Sequence, residues 1–111
     1  MRLGIRLART LHSRWRALRP AERTRLAELA EDAKTQALDL RGASDRPAAE
    51  RNLHSANETL AAALIESAES DPEVPEIEVT RLRDDLRREL ERLATAEVRA
   101  SRGQGEPATG G

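Results

Sequence analysis

Residues 3–19 read LGIRLARTLHSRWRALR. Leu3, Leu7, Leu11, Trp15 and Leu18 recur at spacings of four, four, four and three. With about 100° of rotation per helical residue, such spacings line one face of a helix. Arg6, Arg9 and Arg16 fall on the opposite side, while Arg14 and Ile5 break the division. The stretch therefore predicts an amphipathic, arginine-rich helix over 1–19. Arg19-Pro20 marks its boundary, because proline disfavours helix at the residue before it and suits the first turn of the helix that follows.

The same period continues along the chain. Leu26, Leu29, Ala30, Ala33, Ala37 and Leu40 share a face and predict a second helix over 20–41. Glu22 lies in its first turn, where the helix dipole favours an acid, and Gly42 is the expected C-terminal cap. Asp45 as cap and Pro47 in the first turn start a third helix over 47–70. Its stripe is narrow and rich in small residues: Leu53, Ala56, Leu60, Ala63, Leu64 and Ser67. Two prolines and four acids make 71–78 an acidic link. Val79, Leu82, Leu86, Leu90 and Leu93 then predict a charged amphipathic helix over 79–100. Part of that stripe fits a coiled-coil heptad, but Glu89 occupies a seam position where an apolar residue is expected. Arg81/Asp85, Asp84/Arg88 and Arg87/Glu91 are expected to pair at i,i+4. The glycine-rich 101–111 is expected to be a disordered tail.

Composition agrees with an all-α fold. Leucine, alanine, arginine and glutamate favour helix, phenylalanine and tyrosine are absent, and Trp15 is the only aromatic. The expectation is three to four amphipathic helices in an up-and-down bundle, with 20–70 as a helical hairpin core. The first helix is either the fourth wall of this bundle or a detachable basic arm. Four narrow stripes in a chain of 111 residues leave apolar surface for a second copy, so self-association is expected.

Charge is sorted by position. Residues 1–25 hold eight arginines and one acid, a net +7. Residues 26–80 hold four bases and thirteen acids, a net −9, and residues 81–111 sum to +1. The near-neutral total of −1 hides a chain that can meet an anionic surface, a cationic one, or itself.

Catalysis finds little support. His12 and His54 lie in separate helices, and each is followed by a serine that points about 100° away. Glu58 stands four residues after His54, an ordinary helix-surface pair. With no cysteine there is neither a disulfide nor a thiolate metal site. No metal or other cofactor is expected, and no enzymatic activity. No run approaches the roughly 20 apolar residues of a membrane-spanning helix. A cytoplasmic protein is expected, with peripheral membrane attachment as an extension of that reading. The strong preference for arginine over lysine fits a GC-rich bacterial coding sequence.

The leading expectation is a small non-enzymatic interaction or adaptor protein. Its basic first helix would dock on an anionic surface or an acidic partner through Arg2, Arg6, Arg9, Trp15 and Arg16. A protein partner leads, and an anionic membrane surface follows, with the leucines and Trp15 dipping into the interface. The alternative is a nucleic-acid-associated protein whose N-terminal arginines neutralise phosphates. It ranks lower because the acidic middle of the chain would repel the backbone, and no zinc ligands, stacking aromatics or glycine clamp mark a known module.

Overall fold

Each turn region of the chain starts or stops a helix by local chemistry. The computed structural model describes residues 4–105, with side chains through residue 95. It contains α1 (Ile5–Arg14), α2 (Pro20–Gly42), α3 (Arg46–Glu69) and α4 (Glu76–Gly105). There is no strand among the described residues. The first predicted helix is shorter than its pattern: α1 stops at Arg14, and Trp15–Ala17 tighten into one 3-10 turn. Leu18 and Arg19 are then extended, as the residues before Pro20 should be.

Pro20 opens α2, and Glu22 reaches back to accept a hydrogen bond from the Arg19 N–H at 3.2 Å. The expected glycine cap at its other end does not form. Gly42 is the last helical residue, Ala43 caps with φ −70°, and no described residue has positive φ. The chain leaves α2 in an extended conformation that any residue can adopt, so the special freedom of glycine is not used. Asp45 caps α3 as expected: its Oδ1 accepts from the Ala48 N–H at 3.1 Å. The acidic link is shorter than 71–78, because α4 starts at Glu76, directly after Pro75. Glu76 and Glu78 thereby become first-turn acids, favoured by the helix dipole. α4 is assigned through Gly105, while residues 106–111 of the expected tail lie outside the described residues.

One short connection and three sets of contacts fix the up-and-down order. Three residues join α2 to α3, which makes them antiparallel neighbours. Glu69 Oε1 meets Arg83 at 2.6 Å across the α3–α4 turn. Gly4 lies beside Glu89 and Leu93, and Arg14 beside Ser67 and Asp71. α1 therefore runs antiparallel to α4 and packs on α3 and α4.

The main core joins all four helices around Leu7, Leu26, Ala30, Leu60, Leu64 and Leu86, with Leu18 from the connection. Complete burial of one leucine contributes about 1.5–3 kcal/mol. A second cluster, Ala37, Leu40 and Leu53, closes the far end of the α2–α3 hairpin. The α4 stripe is spent within the chain: Val79 and Leu86 are buried, and Leu82, Leu90 and Leu93 pack against the core. The heptad seam thus faces the chain's own α1 and α3.

Candidate functional site

α1 decides what the basic segment can offer. Its leucine face is turned inward, with Leu7 fully buried and Leu11 packed on the core. Of the two arrangements open to it, the first helix takes the wall of the bundle.

Two residues that spoil the apolar pattern hold the ends of α1. At its start, Gly4 offers no capping side chain. The cap comes from α4, where the fully buried Glu89 carboxylate accepts from the Arg6 N–H at 2.5 Å. A free helix N-terminus attracts negative charge, which accounts for a carboxylate at this seam position. Arg92, one turn on, also donates to Glu89. The approach is close: a Cβ on Gly4 would lie 2.8 Å from Glu89 Oε2 and 2.7 Å from Leu93 Cδ1, so those side chains would have to shift to admit it.

At its end, Arg14 turns its guanidinium toward α3. It donates to Asp71 Oδ2 at 3.0 Å, and to the Ser67 carbonyl and Oγ at 3.1 and 3.0 Å. Asp71 also accepts from the Glu73 N–H at 2.9 Å. That amide first, and the Arg14 guanidinium after it, hold the Asp71 carboxyl below the usual carboxylate range.

The expected binding residues take different places. Arg2 lies outside the described residues. Arg6 points its guanidinium at Asp85, 3.8 Å away and well exposed. Arg9 and Arg16 are exposed and form no ion pair among the described residues. Trp15 is 36% exposed, with the Arg23 guanidinium 5.7 Å above its ring. Arg23 also donates to the Trp15 carbonyl at 2.9 Å and the Arg16 carbonyl at 3.4 Å. It thereby ties the 3-10 turn to the start of α2.

Folding also undoes much of the charge sorting. The turn between α1 and α2 and the turn between α3 and α4 lie at one end of the molecule. They share a cleft of about 470 Å³ in which Arg14 and Arg19 face Glu22, Asp71 and Glu73. Beside it, Arg25 lines a smaller cleft with Glu66. Part of the basic segment thus lies against acids of the middle segment.

The helix-surface charges of α4 pair differently from the i,i+4 expectation. Asp84 meets Arg87 at 2.9 Å, three residues away, and Asp85 faces Arg6 of α1. The docked first helix offers Asp85 an alternative to Arg81. His54 Nε2 and Glu58 Oε1 are 3.0 Å apart on the surface of α3. No group of three metal-ligating side chains exists among the described residues, and no described helix is long and apolar enough to cross a membrane.

Sequence reasoning missed Arg14, Arg23, Ser67 and Glu89. The signal for three of them was present: Arg14 on the leucine side of α1, Ser67 in the small-residue stripe, and Glu89 in the seam. Arg23 had no signal, because its partners are backbone carbonyls. No protein-family model matches the chain, and neither a curated protein nor a solved structure does so.

Proposed function

We propose that this chain is a non-enzymatic helical interaction protein that presents the outer face of its first helix to an acidic protein partner. The observation behind this reading is the division of the N-terminal arginines. Arg14 and Arg23 are engaged with the fold, whereas Arg9 and Arg16 stand in solvent, and Trp15 is partly exposed. Unengaged exposed arginines suit carboxylate recognition, because the guanidinium fork matches a carboxylate. A lipid surface is the weaker alternative, since a helix lying in a bilayer interface needs its leucines and Leu7 is buried. Nucleic acid is disfavoured by the acids that line the same end of the molecule.

The test is titration with a labelled oligoglutamate peptide, using the full chain and the double variant Arg9→Gln/Arg16→Gln. The expected result is binding that weakens with salt in the parent chain and falls several-fold in the variant. Equal affinity of both chains sinks the proposal. In parallel, flotation with anionic phosphatidylglycerol vesicles would instead favour the lipid reading, and a duplex mobility shift at low salt the nucleic-acid reading.

A further inference from the structure

We infer that α1 is a strap that opens separately from the rest of the bundle, and that the buried Glu89 carboxylate is the clasp controlling it. The inference concerns how α1 is held and is independent of what its outer face binds.

The length of α1 is the first reason. Ten residues are too few for a stable helix in water, since isolated helices shorter than about 12–15 residues are marginal even in favourable sequences. α1 is therefore helical only while it is docked. The second reason is what docks it. Within the helix only Leu7 is fully buried, Leu11 packs partly on the core, and the remaining attachments are polar ones at the ends. The third reason is Glu89 itself. A carboxylate with no exposed side-chain surface is stable only while fully hydrogen-bonded, and one of its donors is the α1 backbone. When α1 lifts, water takes the place of the lost Arg6 donor at Glu89, so opening leaves no hydrogen bond unmade there. Opening a core helix such as α3 would expose Leu53, Leu60 and Leu64 together, a larger apolar cost than that of Leu7 alone.

The connection permits such a motion. Past the 3-10 turn, α1 joins α2 through the extended Leu18 and Arg19, and Pro20 restarts the helix independently. Opening adds Leu7 and Leu11 to the arginines already outside, changing the first helix from a polar wall into an amphipathic basic segment.

Hydrogen–deuterium exchange of the full chain reads this directly, with Glu89→Gln and Gly4→Ala as independent variants. The first removes the charge of the clasp. The second keeps every charge but places a Cβ against Glu89 and Leu93. In the parent chain, amides of 7–14 are expected to exchange faster than those of 56–68. A hydrogen bond to a charged group corresponds to a factor of roughly 10–100, so each variant should accelerate α1 by about that much while α3 keeps its protection. Asp85→Asn, which touches only the exposed partner of Arg6, should leave the pattern unchanged. Exchange of all four helices as one unit overturns the inference. So does a loss of protection in α2 and α3 along with α1, or an α1 rate that neither variant moves.

Discussion

Along α2 and α3 the buried positions are almost all alanine and leucine: Leu26, Ala30, Ala33, Ala37 and Leu40 on one helix, Leu53, Ala56, Leu60, Ala61, Ala63, Leu64 and Ala68 on the other. α1 buries one leucine completely and is tied at its two ends by Glu89 and Arg14. The difference follows from length. A helix of 23 or 24 residues repeats its small-residue stripe often enough to be held by apolar area alone. A helix of ten residues does not, and its open N-terminus must be satisfied from elsewhere. Apolar packing of long helices gives one cooperative unit, whereas polar attachment of a short helix gives an element whose hold depends on individual charges.

The largest test of this contrast lies in the core. Leu64→Ala should lower the stability of the whole chain by about 2–5 kcal/mol, measured by urea unfolding. Leu7→Ala should leave the urea midpoint of α2 and α3 less affected and act on α1 protection instead. Equal midpoint shifts would erase the distinction between the two regions. Ala61→Leu forces a larger side chain into the close helix contact and should cost about 1–3 kcal/mol by the same measurement. Asp45→Ala removes the α3 cap and should cost about 0.5–2 kcal/mol.

A fourth test sharpens the polar half of the comparison. The Asp71 pKa is depressed in the folded chain, so its contribution is complete above the ordinary carboxylate value of 3.8 and is lost as pH falls through the lower, folded value. Trp15 emission, which reports on the turn that follows α1, should change over that acid window in the parent chain. In Asp71→Asn the change should be smaller and start from a looser α1. The smallest effect is expected from Glu69→Gln, which breaks an exposed pair with Arg83 and should change stability by about 0–1 kcal/mol.

The helices were legible in the sequence because each has enough turns for its apolar period to stand out, and because Pro20, Asp45 and Pro47 act locally. Of the boundaries that moved, one has a cause beyond the local pattern and the other a local one. Trp15–Ala17 tighten where Arg23 binds the turn's carbonyls, and Glu76 can begin α4 because Pro75 lies just outside it. The docking of α1 was legible only as irregularity. Arg14, Ser67 and Glu89 each interrupt an apolar stripe, and the sequence alone gives no means of knowing that Arg14 and Ser67 meet. Their partners are distant, 53 residues apart for Arg14 and Ser67 and 83 for Arg6 and Glu89. Helical periodicity contains no information at that range. The exposed Arg9 and Arg16 were legible as the polar face of α1, but the acids brought beside the basic segment were not.

The seat of α1 has a consequence for the order of synthesis. The strap leaves the ribosome ahead of the clasp that receives it, which lies 83 residues downstream. At translation rates of roughly 5–20 residues per second, that separation lasts ~4–17 s. Throughout that interval the nascent chain displays a basic, leucine-faced segment whose seat on α3 and α4 is incomplete. Completion of α4 is therefore the event that puts the first helix away.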